Sequence, residues 1–446
     1  MTTTALAPPA TAKRPATRSK IGASKGAGSS VLVPWLRAQS TNVVRHAAAL
    51  RPFEQSEFGK GLAAPTEGHI QAVNTLISGL RERMLKVSAG VTKSVRAAIE
   101  EPDAEHLRDV IVRKDRAHKW VQGIEKIWDF YLELFGQRMS EPYATWLLSC
   151  DRIALDCYQA AYSGIGIAKP IPAPPPFCFM RTGFAPSTMR KGIPLRRLGM
   201  QLNPFALVQL PYHRMVNPWT LGAVMHEVSH NLQSDLGLSK DVPRRIAHRL
   251  LRAGLPKSVA ATWTRWNREM FADMSALLLG GPGVVGSLMD VVGRAPAAVF
   301  YFNPRGVHPT PYLRPFISVE LLRRMGFTKE AEQYSRAWSR LYPKSRTGNI
   351  PDSMLETFPK ACAAVVDAVC FRPFKTLGGK SLAEVYPFHA KDQQMILEAA
   401  TRLTEGTDPG IVPARFLVSA AREALDRRMA KPGAITENFY KELSRR

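Results

Sequence analysis

Two histidines four residues apart, with a glutamate directly after the first, are the groups in this chain best suited to chemistry. They form His226-Glu227-Val228-Ser229-His230. On an α-helix, residues four apart lie one above the other, so both imidazoles leave the same face. Two stacked nitrogen donors can hold one Zn²⁺ at about 2.0–2.1 Å each. Glu227, beside the first ring, is placed to take a proton from water polarised by such an ion. With 10 histidines and 22 glutamates in 446 residues, the pattern is expected by chance about 0.01 times. The bland alternative is an exposed polar helix face that carries two histidines.

The neighbouring residues argue for a buried helix. Leu221, Met225, Val228 and Leu232 follow the i, i+4, i+7, i+11 spacing of an apolar stripe. Upstream, Asn217 reads as an N-cap and Pro218 as the first helical residue, with Val216 and Leu221 as a hydrophobic staple. A catalytic zinc site usually takes three protein ligands and leaves one position for water. The pattern HExxHxxGxxH is excluded, because Gln233 and Leu236 stand where it needs glycine and histidine.

Residues 266–279 form a second apolar helical pattern that stops at Gly280-Gly281. Glu269 and Asp273 share one face of it, and carboxylates on a largely buried helix need partners. A metal ion and a metal-bound histidine would be such partners. Two other readings stand beside this one. Glu269 pairs at the surface with Arg265 or Arg268, or His248 supplies the third ligand from a helix crowded with Arg244, Arg245, Arg249 and Arg252.

HExxH followed by a later helix bearing ExxxD resembles the gluzincins, the thermolysin-like zinc metallopeptidases. The likeness covers about 60 residues. It implies that His226, His230 and Glu269 bind one Zn²⁺, that Glu227 activates water, and that Asp273 supports a ligating histidine from behind. Glu269 follows His230 by 39 residues, a longer interval than in thermolysin itself.

Attack on a peptide carbonyl builds negative charge on oxygen, which a nearby donor stabilises. The stretch Asn303–Arg314 is rich in turn formers and donors, and its histidine-proline step followed by arginine is similar to a segment found after the glutamate helix in some gluzincins. His308 is the expected oxyanion donor, with Tyr312 and Arg314 behind it as substrate-binding groups; the alternative is a proline-rich surface turn. Phe205–Leu210, bounded by Pro204 and Pro211, reads as a short strand. It is either an edge that pairs with extended substrate or an ordinary internal strand.

The expected architecture is α+β, mainly α, with a small sheet above the zinc helix. Four regions are expected: a disordered basic tail over 1–50, a helical region over 51–165, a zinc metallopeptidase core over 166–314 and a C-terminal helical region over 315–446. No segment reaches 18 uninterrupted apolar residues, so no membrane span is expected. Five cysteines without CxxC spacing point away from a disulfide framework and towards a reducing, cytoplasmic setting. An organelle presequence stays open, because no acidic residue precedes Glu54.

A net charge of +24 favours anionic partners, nucleic acid among them, although no nucleic-acid module is recognisable. Three functions follow from these observations. The first is a zinc-dependent metallopeptidase acting on peptide or protein, the second a binding or scaffold protein with an inactive zinc site, and the third a nucleic-acid-associated protease.

Overall fold

The computed structural model describes residues 29–166, 170–343 and 348–446. The chain divides into two compact units, one of Met1–Ala49 with Glu82–Val121 and one of Leu50–Arg81 with Gln122–Arg446. In the first unit, helix α1 (Ser29–Ala49) packs with residues 82–100 of α2 (Glu67–Glu100) and residues 104–121 of α3 (Ala104–Gly136). Leu36, Val43 and Ala47 of α1 are buried, as are Met84, Val91 and Val95 of α2 and Val110 and Ala117 of α3. Ser40 and Thr92 share a hydrogen bond of 2.8 Å across it.

This corrects the disordered tail expected over 1–50, since residues 29–49 are helical. Low acidity described the composition of that stretch, whereas apolar spacings of seven and four placed a buried stripe on it. Residues 1–28 lie outside the described residues.

The second unit is mainly helical with a small sheet, in line with the expected class. Helix α4 (Tyr143–Ile165) precedes strands β1 (Phe177–Met180), β2 (Ser187–Met189), β3 (Pro194–Leu195), β4 (Gln201–Leu202) and β5 (Leu207–Leu210). The main sheet has the order β1-β5-β2, with β1 parallel and β2 antiparallel to β5, while β3 and β4 pair separately. After the one-turn helix α5 (Tyr212–Met215) come α6 (Gly222–Asp235), α7 (Asp241–Arg252), α8 (Lys257–Arg265), α9 (Asn267–Gly280) and α10 (Gly283–Val292). A short α11 (Pro296–Val299) leads to α12 (Arg314–Arg324), α13 (Thr328–Leu341) and α14 (Asp352–Cys370). Helices α15 (Leu382–Val385), α16 (Ala390–Glu405), α17 (Phe416–Asp426) and α18 (Pro432–Arg445) complete the unit.

One buried core runs from Leu147 to Leu443, so the boundaries expected at 165/166 and 314/315 do not divide the unit. The physical reason is shared burial. Helix α17 packs on α10 and on the turn that leads into α6, and α18 packs on α4. The apolar faces of the C-terminal helices are therefore covered by the helices around the histidine motif. Among the described residues no helix is long and apolar enough to cross a membrane. All five cysteines are buried free thiols.

Helix α9 ends where the sequence places its stop. Gly281 has φ +74° and ψ −166°, and its N–H reaches the carbonyl of Leu277 at 2.8 Å. Only glycine occupies this backbone region without strain. A Cβ there would also stand 2.1 Å from Cζ of Phe388. We therefore predict that Gly281→Ala destabilises the protein by at least about 2 kcal/mol, from strain plus overpacking. An unchanged urea midpoint would contradict this account of the helix stop.

Candidate metal centre

A 3₁₀ turn at Pro218–Thr220 feeds the chain into α6. Asn217 precedes it but does not cap it with its side chain, which donates instead to the carbonyl of His213 at 3.1 Å. The expected buried face is present, with Leu221, Met225, Val228 and Leu232 fully enclosed. Small residues let α6 approach its neighbours closely. Ser229 donates to Ser275 of α9 at 3.0 Å, both fully buried. A Cβ on Gly280 would stand 2.8 Å from the Met225 methyl, and one on Gly222 would stand 2.7 Å from Ser287 Cβ of α10.

That close packing brings the remaining face of α6 against the acidic face of α9. His226 and His230 turn their Nε2 atoms to the same point, 3.2 Å apart. Glu269 adds one oxygen 3.5 Å from His226 Nε2 and the other 3.4 Å from His230 Nε2. These three residues form a group of mutually close ligand atoms. Tetrahedral bonds of about 2.0–2.1 Å imply donor–donor edges of roughly 3.3–3.4 Å, so these distances, the two to Glu269 taken to different carboxylate oxygens, are near those a zinc site needs. Glu269 is buried rather than paired at the surface, and His248 lies exposed on α7.

Behind the triangle, Asp273 accepts from His226 Nδ1 at 2.8 Å. Arg314 in turn grips Asp273 through Nε at 2.8 Å and a terminal nitrogen at 2.7 Å. The Arg314–Asp273–His226 chain turns Nε2 of His226 towards His230 and Glu269. Arg314 is thus spent on holding the carboxylates, 3.6 Å from Glu269, although it also lines the cleft. This differs from the substrate-binding role expected of it. Tyr312 departs further from expectation. It is buried between the rings of Phe300 and Phe316, at 5.0 and 5.3 Å, because its apolar bulk fills the core beneath the loop.

His308 sits where a donor to the cleft is useful. Its ring is largely exposed, with Nε2 3.4 Å from Glu269. The loop carrying it is fastened by Asn303, which accepts from the backbone N–H of Arg305 at 3.0 Å. Arg265 also ties that loop down through the carbonyl of Pro304.

Charge compensation shows in the protonation of each group. Burial disfavours the His226 imidazolium, but hydrogen bonds to Asp273 and Glu269 outweigh it and raise the pKa to about 10. His230 is pushed down to about 3, first by burial and then by the charge of His226. Burial opposes ionisation of Glu269, yet the hydrogen bond and charge of His226, with His230 and Arg314, hold it below the usual carboxylate range. Glu227 is raised to about 7, chiefly by burial. Two of the three donors, His230 and Glu269, are therefore already in their ligating forms at neutral pH, and His226 carries one proton to be displaced.

The cleft encloses about 610 Å³, with walls from β2, α9, α10 and the His308 loop. Of the two readings of Phe205–Leu210, edge or internal strand, the sheet order gives the internal one. β5 is central, paired on both sides, and β2 is the edge that lines the cleft. With β1 on one side and β2 on the other, β5 has no free edge for substrate. Asn231 fixes β2 against the histidine helix. It is buried, and its amide donates to Thr188 at 2.8 Å and to the carbonyl of Glu227 at 3.3 Å. Asn231 and Thr188 carried no sequence signal of this link, because a single asparagine after HExxH has no partner until the sheet forms. In the basic cluster of α7, Arg245 donates to the carbonyls of Arg372 and Pro373, and Arg249 pairs with Asp367.

No family model, curated protein or solved structure matches the chain.

Two outcomes follow from the donor geometry. Glu269→Ala should lower bound zinc from about one ion per chain to well under half, because catalytic zinc sites rest on three protein ligands. Full occupancy by metal analysis would remove Glu269 from the ligand set. Zinc uptake by the metal-free protein should release about one proton at pH 8, since the ion replaces the proton on His226 Nε2. Affinity should then rise about tenfold per pH unit from pH 7 and level off near pH 10. Calorimetry in buffers of different ionisation heat reads the proton count, and zero release would contradict the assigned state of His226.

Proposed function

We propose that this chain is a zinc-dependent peptidase of the gluzincin type. The observation that carries the reading is the His226–His230–Glu269 triangle, with edges near those of tetrahedral zinc, in one cleft with Glu227 and His308. When bound, Zn²⁺ supplies Lewis acidity, lowering the pKa of a water and polarising a carbonyl. Glu227 takes the proton from the attacking water and returns it to the departing amine nitrogen. Its raised pKa keeps both directions accessible near neutrality. His308 donates to the oxygen on which charge grows, from a loop that Asn303 and Arg265 hold in place. Strand β2 offers its free edge to an extended peptide, and Asn231 keeps that edge in register with the histidine helix.

The Arg314–Asp273 pair has a separate part. A carboxylate behind His226 fixes the tautomer that leaves Nε2 for the ion, and Arg314 keeps that carboxylate charged despite its burial. Such buried charge pairs are costly to break from one side.

Glu227→Gln should keep zinc bound and lower peptide hydrolysis by at least about a hundredfold, in the range expected for losing a general base. Parallel measurements of metal content and turnover test this. Undiminished turnover with zinc retained would overturn the role of Glu227.

A further inference from the structure

The floor and the rim of the cleft differ in charge balance. On the floor, Glu269 and Asp273 face His226 and Arg314 at 2.7–3.6 Å. On the rim, Arg190, directly after β2, and Arg268, in the first turn of α9, both line the cleft. Among the described residues neither guanidinium forms an ion pair. Arg190 is half-buried, and its ionisation is opposed first by burial and then by the charge of Arg268. Asp235 offsets this only in part and is itself hydrogen-bonded by Tyr158 at 2.7 Å. Arg265, on the same rim, is already used by Thr262 and the carbonyl of Pro304.

Two like charges on the rim of one cleft, neither answered by an ion pair, gain from an anion that joins them. The guanidinium fork is matched in shape and charge to a carboxylate. Elsewhere the cleft is lined by apolar groups, Val284, Val285 and Leu288 of α10 among them, so it suits a ligand that combines an apolar group with one negative charge.

We propose that Arg190 and Arg268 form an anion subsite that receives a carboxylate of the peptide substrate, either its C-terminal carboxylate or an acidic side chain. The choice of a peptide rests on the peptidase reading above, whereas the anion-binding chemistry rests on the two arginines alone. Unlike Arg314, neither is needed to hold the metal ligands. Substituting them therefore separates selection of substrate from assembly of the centre.

The test uses four rhodamine-labelled peptides of one apolar sequence, with a free or amidated C-terminus and with Glu or Gln inside. Anisotropy measures their binding to the full-length Glu227→Gln protein, with and without the double change Arg190→Gln and Arg268→Gln. A carboxylate-bearing peptide should bind about tenfold or more tightly than its neutral counterpart, as expected for a charge-assisted hydrogen bond. In the double variant the gap should fall below about twofold. A gap between free and amidated ends assigns the subsite to the C-terminus, and a gap between Glu and Gln assigns it to a side chain. Equal binding of all four peptides, no binding of any, or a gap that survives the double change overturns the subsite. Hydrolysis of the same peptides by the unsubstituted protein is measured in parallel. If none is cut while the charge preference persists and depends on both arginines, the peptidase reading falls and the anion subsite stands.

Discussion

The structure around the centre depends on compensating buried charge. Glu227, Glu269 and Asp273 all sit where water is scarce, on two helices whose buried faces are largely apolar. An ionised carboxylate in such a place is costly without a partner. Arg314 answers Asp273, the protonated His226 answers both Asp273 and Glu269, and burial raises Glu227 to about 7. The same balance makes the triangle receptive to a dication. Replacing one proton with Zn²⁺ adds positive charge where Glu269 and the neighbouring Glu227 can use it.

That balance exists because α6 and α9 come close. Ser229, Ser275 and Gly280 occupy the contact, and a larger side chain at any of them would push the helices apart. Donor edges of 3.2–3.5 Å leave little room for such a shift. Packing on one side of α6 thus sets the spacing of the candidate donors on the other. The C-terminal helices serve the same end, since α17 and α18 cover faces that would otherwise be exposed beside the motif.

Much of the centre was legible in the order of residues, because a helix converts spacing into direction. His226 and His230 at i, i+4, the stripe from Leu221 to Leu232, and Glu269 with Asp273 one turn apart are local facts about helical faces. The stop at Gly280-Gly281 is equally local. What escaped were statements about partners. Arg314 was read as a substrate group and Tyr312 as another, and the β5 stretch was left open between edge and internal strand. Each was decided by what lies across from it.

Sequence by itself determined the two helices of the centre, their buried faces and the kinds of donor that each carries. It did so because helical periodicity and apolar burial act within a few residues. Tertiary structure alone decided that β1 occupies the far side of β5, so that β2 becomes the open edge, and that Asn231 ties this edge to the histidine helix. It also decided that Arg190 and Arg268, 78 positions apart in the chain, line the same cleft. Such pairings depend on sheet order and helix packing, which no short-range pattern encodes.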